Sequence, residues 1–163
     1  REVLQISDDI PEGDTPFNPD AFLASGLEIS DARRNLESGG IEALSAFGID
    51  VRHLLRQVGN RVGQELSFSL RNIDGNIEFL SEMMDWWEYA GLGQLSYDID
   101  PQFHILVDHP SVKPGSLPIQ SLDDGIIEGA LLSRYSDDPT VEITRTTIEN
   151  SENSVKYEIN FNS

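Results

Sequence analysis

The stretch "EMMDWWEYAGLGQLSYDID", Glu82 to Asp100, decides how this chain is read. It continues a pattern in which Ile77, Leu80, Met84, Trp87 and Gly91 recur at helical spacing, and Phe79, Met83 and Trp86 widen the same apolar face. That spacing predicts a helix from about Ile77 to Ala90, buried on more than one side. Gly91 is the expected terminator, because glycine accepts the left-handed conformation common just past a helix end. Beyond it the period drops to two. Leu95, Tyr97 and Ile99 alternate with polar residues, and Phe103, Ile105 and Val107 alternate with His104, Leu106 and Asp108. Two strands joined at "DPQ" in an antiparallel pair are predicted.

Upstream, "IEALSAFGID" reads as a short helix with Gly48 near its end, and Asp50 is placed to cap the next one. In that helix Leu54, Val58, Val62 and Leu66 recur every four residues, accompanied by Gly59 and Gly63. Each glycine costs roughly 1 kcal/mol against alanine in a helix interior. The pair makes sense if another element crosses closely there; a helix-to-helix dimer seam is the alternative. Further upstream the pattern weakens. "REVLQIS" has the makings of a short strand, "AFLASGLEIS" of another, and "DARRNLESGG" of a turn of helix. Residues 1–39 are therefore read as an N-terminal arm or loop with a short strand, a wrap around a second subunit being the alternative, and residues 40–163 as the domain itself.

Downstream, "PSVKPGSLPIQ" is a proline-rich loop, and Ser121 with Asp124 gives a capping-box-like start to a third long helix carrying Gly125 and Gly129. "PTVEITRTTIE" and "SVKYEINF" read as two closing strands joined by the polar loop "NSENS". Helices, two strands, a helix and two strands predict an α+β domain: a four-stranded antiparallel sheet with helices packed on one side.

Composition bounds function. The 163 residues contain no Cys, which excludes disulfides, thiolate metal sites and cysteine nucleophiles. Asp and Glu number 29 against 11 Lys and Arg, a formal net charge of -18, with the acids dispersed along the chain. A dispersed acidic surface is a solvation strategy suited to high salt, where the Debye length falls to about 3 Å and self-repulsion is screened. The expected setting is the cytoplasm of a salt-loving organism; the rival reading is an acidic face that docks a basic partner. No basic stripe is available to neutralise phosphates, so direct nucleic-acid binding is not expected. No run of about 18 apolar residues would span a membrane, and no N-terminal stretch reads as a signal peptide. A start at Arg1 leaves processing or trimming open.

Candidate chemistry is sparse. His53, His104 and His109 coexist with many Ser and Asp, but no G-x-S-x-G elbow is present. The acid pairs at Asp8–Asp9, Asp123–Asp124 and Asp137–Asp138 read as caps and solvated loops. No glycine-rich phosphate loop follows a strand. No catalytic residue, metal ligand set or cofactor is assigned.

The order of elements, with these glycines, resembles the 4-vinyl reductase domain, a small-molecule-binding family. Its superfamily also holds haem-NO-binding domains and subunits of the transport-protein-particle trafficking complex. "GNRVGQEL", "WWEYAGLGQL", "PIQSLDDGIIEGALL" and "VEITRTTIENSENSVKYEI" carry the likeness, from about Gly40 to Ile159. The resemblance implies an apolar pocket between helix and sheet, lined by Met83, Trp86, Trp87, Tyr97, Phe103 and Ile105; plain core packing is the alternative for each. Family members often carry three Cys, at positions that here hold Gln120, Thr147 and Val155, and a hairpin Gly where this chain has Ser151. A thiolate metal site of that kind cannot form here. The expected function is a small-molecule sensor or regulatory module, a homodimer acting through an effector protein. A ligand-free assembly subunit and a tetrapyrrole-reduction enzyme or accessory are the alternatives.

Overall fold

The computed structural model describes residues 17–100 and 102–161. The possible strand at "REVLQIS" and the acid pair Asp8–Asp9 lie outside the described residues. The chain forms helix α1 (Pro19–Asn35), a bulged turn (Leu36–Gly40), α2 (Ile41–Ala46), α3 (Val51–Ser69) and α4 (Asn76–Ala90). Strands β1 (Gln94–Asp98) and β2 (His104–Asp108) follow, then α5 (Ile119–Arg134), β3 (Val141–Thr147) and β4 (Ser154–Phe161). The four strands make one antiparallel sheet in the order β1-β2-β4-β3. The expected α+β class with a four-stranded antiparallel sheet is what the chain adopts.

The pattern around Glu82–Asp100 translates directly. α4 ends at Gly91, which holds φ 71° as its cap, and β1 begins three residues later. One face of the sheet buries Ile105, Val107, Val155, Tyr157 and Ile159. The other carries His104, Lys156 and Glu158, half-buried. Ile99 departs from the expected alternation: it lies past the end of β1 and is 64% exposed.

α3 and α5 cross at backbone contact, and the glycines are the reason. A Cβ on Gly63 would overlap the Ile126 carbonyl and the Ala130 nitrogen, and one on Gly59 would overlap the Leu122 carbonyl. Reciprocally, a Cβ on Gly125 would lie 2.6 Å from the Arg56 carbonyl, and one on Gly129 2.7 Å from Asn60 Cα. The two glycine pairs interlock, so the close crossing expected at Gly59 and Gly63 is made within the chain. It also corrects the expected stripe on α3. Val51, Leu55, Gly59, Gly63 and Leu66 face inward, while Val58 is 43% exposed. Apolar periodicity points one residue away because the tightest contact is made by residues with no side chain.

Two further expectations are overturned. Residues 19–35 form a continuous helix, not a strand and a turn. Asn18 caps it by accepting from Ala21 N at 3.2 Å, and Pro19 occupies the first turn. Its buried face is Phe22, Gly26 and Arg33, so two of three inward positions carry no apolar side chain and the helical pattern does not show. α5 begins at Ile119 after Pro118, without a side-chain cap. Ser121 and Asp124 therefore do not form its start; Asp124 sits inside the helix and is buried.

Candidate functional site

Four of the six residues expected to line a pocket are sealed in the core. Met83, Trp86 and Ile105 are 0% exposed and Trp87 1%. The two indoles pack at 6.5 Å between ring centroids, and Trp86 Nε1 donates to Ser25 Oγ on α1 at 2.8 Å. Trp87 Nε1 is buried without an acceptor among the described residues. Trp87 is also among the residues of an open groove of about 440 Å³ between the end of α4 and β1, with Met84, Glu88, Gln94 and Leu95 among its walls. Tyr97 and Phe103 lie elsewhere. They join Phe161 and Tyr135 in an aromatic row, with successive centroid distances of 6.4, 6.1 and 5.9 Å. The Tyr135 hydroxyl anchors that row by donating to Asn76 Oδ1 at 2.7 Å. The six residues thus divide between a packed core and a partly open row.

The densest polar constellation is at Asp123 and Asp124, read from the sequence as caps or solvated loop. They are 0% and 3% exposed. An isolated buried carboxylate is strongly unfavourable, and each here is matched. Arg33 from α1 forks onto Asp123, Nε to Oδ1 at 2.9 Å and Nη2 to Oδ2 at 2.8 Å, and Nη1 donates to the Gly91 carbonyl at 3.3 Å. Asp124 Oδ2 accepts from Arg56 Nη1 at 2.9 Å and Arg145 Nε at 2.7 Å, while Oδ1 accepts from the Tyr157 hydroxyl at 2.6 Å. Arg56 Nη2 continues to Glu128 Oε2 at 2.9 Å, and Asn60 Nδ2 donates to Glu128 Oε1 at 3.0 Å. Three guanidiniums therefore meet three carboxylates. The network ties α1, α3, α5, β3 and β4 to one point.

Electrostatics set the protonation states. Burial alone would push Asp124 up, but His109, Tyr157, Arg56 and the Arg145 charge together hold its carboxyl well below the usual carboxylate range. Burial pushes Asp123 up, and the Arg33 charge and hydrogen bonds only partly offset it. Burial, then the neighbouring Asp124 carboxylate, pushes the Tyr157 phenol far up. Burial would lower Arg56, but its bonds to Glu128 and Asp124 raise it further above its already high ordinary value. Asp124 is thereby a weak base and Tyr157 a weak acid, the profile of a structural clamp rather than a proton-transfer pair.

His109 borders this clamp. It is 7% exposed, its Nε2 lies 3.8 Å from Asp124 Oδ1, and neither ring nitrogen is within hydrogen-bond distance of a partner among the described residues. Its backbone N–H donates to the Asn153 carbonyl at 2.9 Å. Gln120 Nε2 donates to Asn153 Oδ1 at 2.7 Å, and Thr147 and Val155 are register partners in the closing hairpin. The three positions at which the resemblance expects Cys thus gather at one end of the hairpin, but they carry an amide, a hydroxyl and a methyl-branched chain. No group of three or more His, Asp or Glu among the described residues is arranged to hold a metal. Ser154 Oγ bonds Asp108 and Ser151 Oγ, whereas the adjacent His109 faces Asp124, so no Ser-His-Asp relay runs through them. His104 makes a local contact, Nδ1 to the Gln102 carbonyl at 2.8 Å.

Sequence reasoning missed the clamp because its cations lie far away, at Arg33, Arg56 and Arg145. One local signal existed: in "SLDDGIIEGALL" two acids interrupt a helix apolar on nearly every side. No protein-family model matches the chain, and no curated protein matches it. No helix among the described residues is long and apolar enough to cross a membrane.

Proposed function

We propose that this chain is a non-catalytic regulatory or assembly module of the 4-vinyl reductase kind, a homodimer that works by docking a protein partner. One observation carries the reading. Four of the residues to which the resemblance assigns a ligand, Met83, Trp86, Trp87 and Ile105, are packed in the core, none more than 1% exposed. Close-packed interiors hold few voids larger than a water molecule, and such a core favours the ligand-free alternative over a closed-pocket sensor. The spending of Asp123, Asp124, Tyr157 and three arginines on a structural clamp supports a binding role over turnover.

A sensor is the second reading, favoured by Trp87. Its indole N–H has no acceptor among the described residues and the residue is among those that line a groove; a small amphipathic molecule that opened this wall would supply one. Native mass spectrometry in volatile salt, paired with melting against a panel of apolar metabolites, separates the two. The assembly reading expects an empty dimer whose melting temperature ignores the panel. A stoichiometric small molecule, with a melting rise abolished by Trp87→Phe, would make the chain a sensor.

A further inference from the structure

Arg33, Arg34, Arg56, Arg61, Arg145 and Lys156 each hold a carboxylate within 4.0 Å. In a chain of net charge -18 that is the expected fate of a cation. Arg52, Lys113, Arg71 and Arg134 have no carboxylate partner among the described residues, and of these Arg71 and Arg134 are the two that lie together. The Arg71 guanidinium lies 4.0 Å over the Phe68 ring, and its Nη1 donates to the Phe68 carbonyl at 2.8 Å. Its Nε is buried with no acceptor among the described residues. The Arg134 guanidinium lies 4.5 Å from the Phe79 ring centroid and donates to the carbonyls of Leu70, Asp74 and Gly75 at 3.4, 3.1 and 3.5 Å. Both line one open groove of about 430 Å³, between the end of α3 and the end of α5.

We propose that this groove is an oxyanion site, taking a small carboxylate or phosphate that also carries hydroxyl or ammonium donors. Two guanidiniums held on ring faces and backbone carbonyls keep their full charge and their remaining N–H donors. Planar forks of this type match carboxylate and phosphate oxygens. Ser67 and Ser133 line the same groove. Asp74 and Asp137 line it too, which favours an oxyanion that carries a hydroxyl or other donor of its own, as hydrogen phosphate and lactate do. The acidic surface does not forbid binding, because at molar salt charges more than about 3 Å away are screened. The volume lies within the roughly 300–1,000 Å³ of small-molecule sites. This site is separate from the Trp87 groove and does not rest on the docking reading.

The test titrates inorganic phosphate, and in a second arm lactate, into the full chain at fixed ionic strength in KCl, following arginine side-chain Nε–H resonances and the melting temperature. The expected result is a saturable shift of the Arg71 and Arg134 signals with a rise in melting temperature. Arg71→Gln abolishes the response, and Arg71→Lys, which keeps the charge but loses the fork, retains a weakened one. The arm that saturates at lower concentration names the oxyanion class. The proposal is overturned if neither probe saturates, if other arginines shift instead, or if a folded Arg71→Gln protein responds like the parent.

Discussion

The hydroxyl of Tyr157 on β4 donates to the buried carboxylate of Asp124 on α5 at 2.6 Å, on the opposite side of that carboxylate from Arg56 and Arg145. One helical acid thereby holds the sheet, α3 and the edge strand β3 together. Asp124→Asn keeps the shape but leaves two guanidiniums facing an amide. Breaking a buried pair this way costs about 3–5 kcal/mol. Arg56 and Arg145 are 33% and 36% exposed, so water screens part of the loss and about 2–3 kcal/mol is expected at neutral pH in urea unfolding.

The same residue sets a pH signature. The Asp124 folded-state pKa is depressed, so its contribution is fully present above the unfolded value of about 3.9 and is lost as pH falls below it toward the folded value. The stability gap between the parent and Asp124→Asn is expected to be constant from neutral pH down to about 4 and to close below that. Asp123 acts oppositely: its folded pKa is raised, so protonating it relieves a burial cost as pH falls through that value. A gap between parent and Asp124→Asn that widened in acid would show that Asp124 is not the ionised hub.

The helix crossing gives a sharper structural test. A Cβ at Gly63 collides with backbone atoms of α5, which cannot rotate away, so Gly63→Ala forces α3 and α5 apart. Overpacking of this kind costs about 1–3 kcal/mol, enough to outweigh the roughly 1 kcal/mol gain in helix propensity. Gly115→Ala is the control, since nothing lies within 4 Å of its added Cβ, and a change within about 0.5 kcal/mol is expected. Equal melting temperatures for the two variants would mean that the crossing is looser than described.

Much of this architecture was legible in the residues. The change of period at Gly91 located α4 and the first two strands, because a fully apolar helix face and an alternating strand are hard to confuse over that length. Asp50 announced α3 and indeed accepts from His53 N at 3.3 Å. α1 was not legible, because its inward positions Gly26 and Arg33 are spent on a close approach to α4 and on an ion pair. The clamp at Asp123–Asp124 was hidden for a related reason. Paired acids early in a helix look like caps, and only the folded chain brings Arg33, Arg56 and Arg145 to them. The aromatic residues Trp86 and Trp87 were legible as inward-facing. Periodicity reports that Trp86 and Trp87 point inward, yet it cannot say whether the space they point into is empty.

The two tryptophans supply the last prediction. Both are fully buried, so replacing either by Phe removes similar volume from the core and costs a similar packing loss. They differ in one group: the Trp86 indole N–H donates to Ser25 Oγ, and that of Trp87 has no acceptor. Trp86→Phe therefore loses a hydrogen bond, although Ser25 Oγ keeps its own bond to the Phe22 carbonyl at 2.7 Å, whereas Trp87→Phe removes a donor that was unsatisfied. Trp86→Phe is expected to be the more destabilising by about 1–2 kcal/mol in urea unfolding of ligand-free protein. If Trp87→Phe proved equally costly, the Trp87 N–H must have a partner in solution. A bound small molecule at the α4–β1 groove would then be the first to seek, by extraction and mass spectrometry of the parent protein.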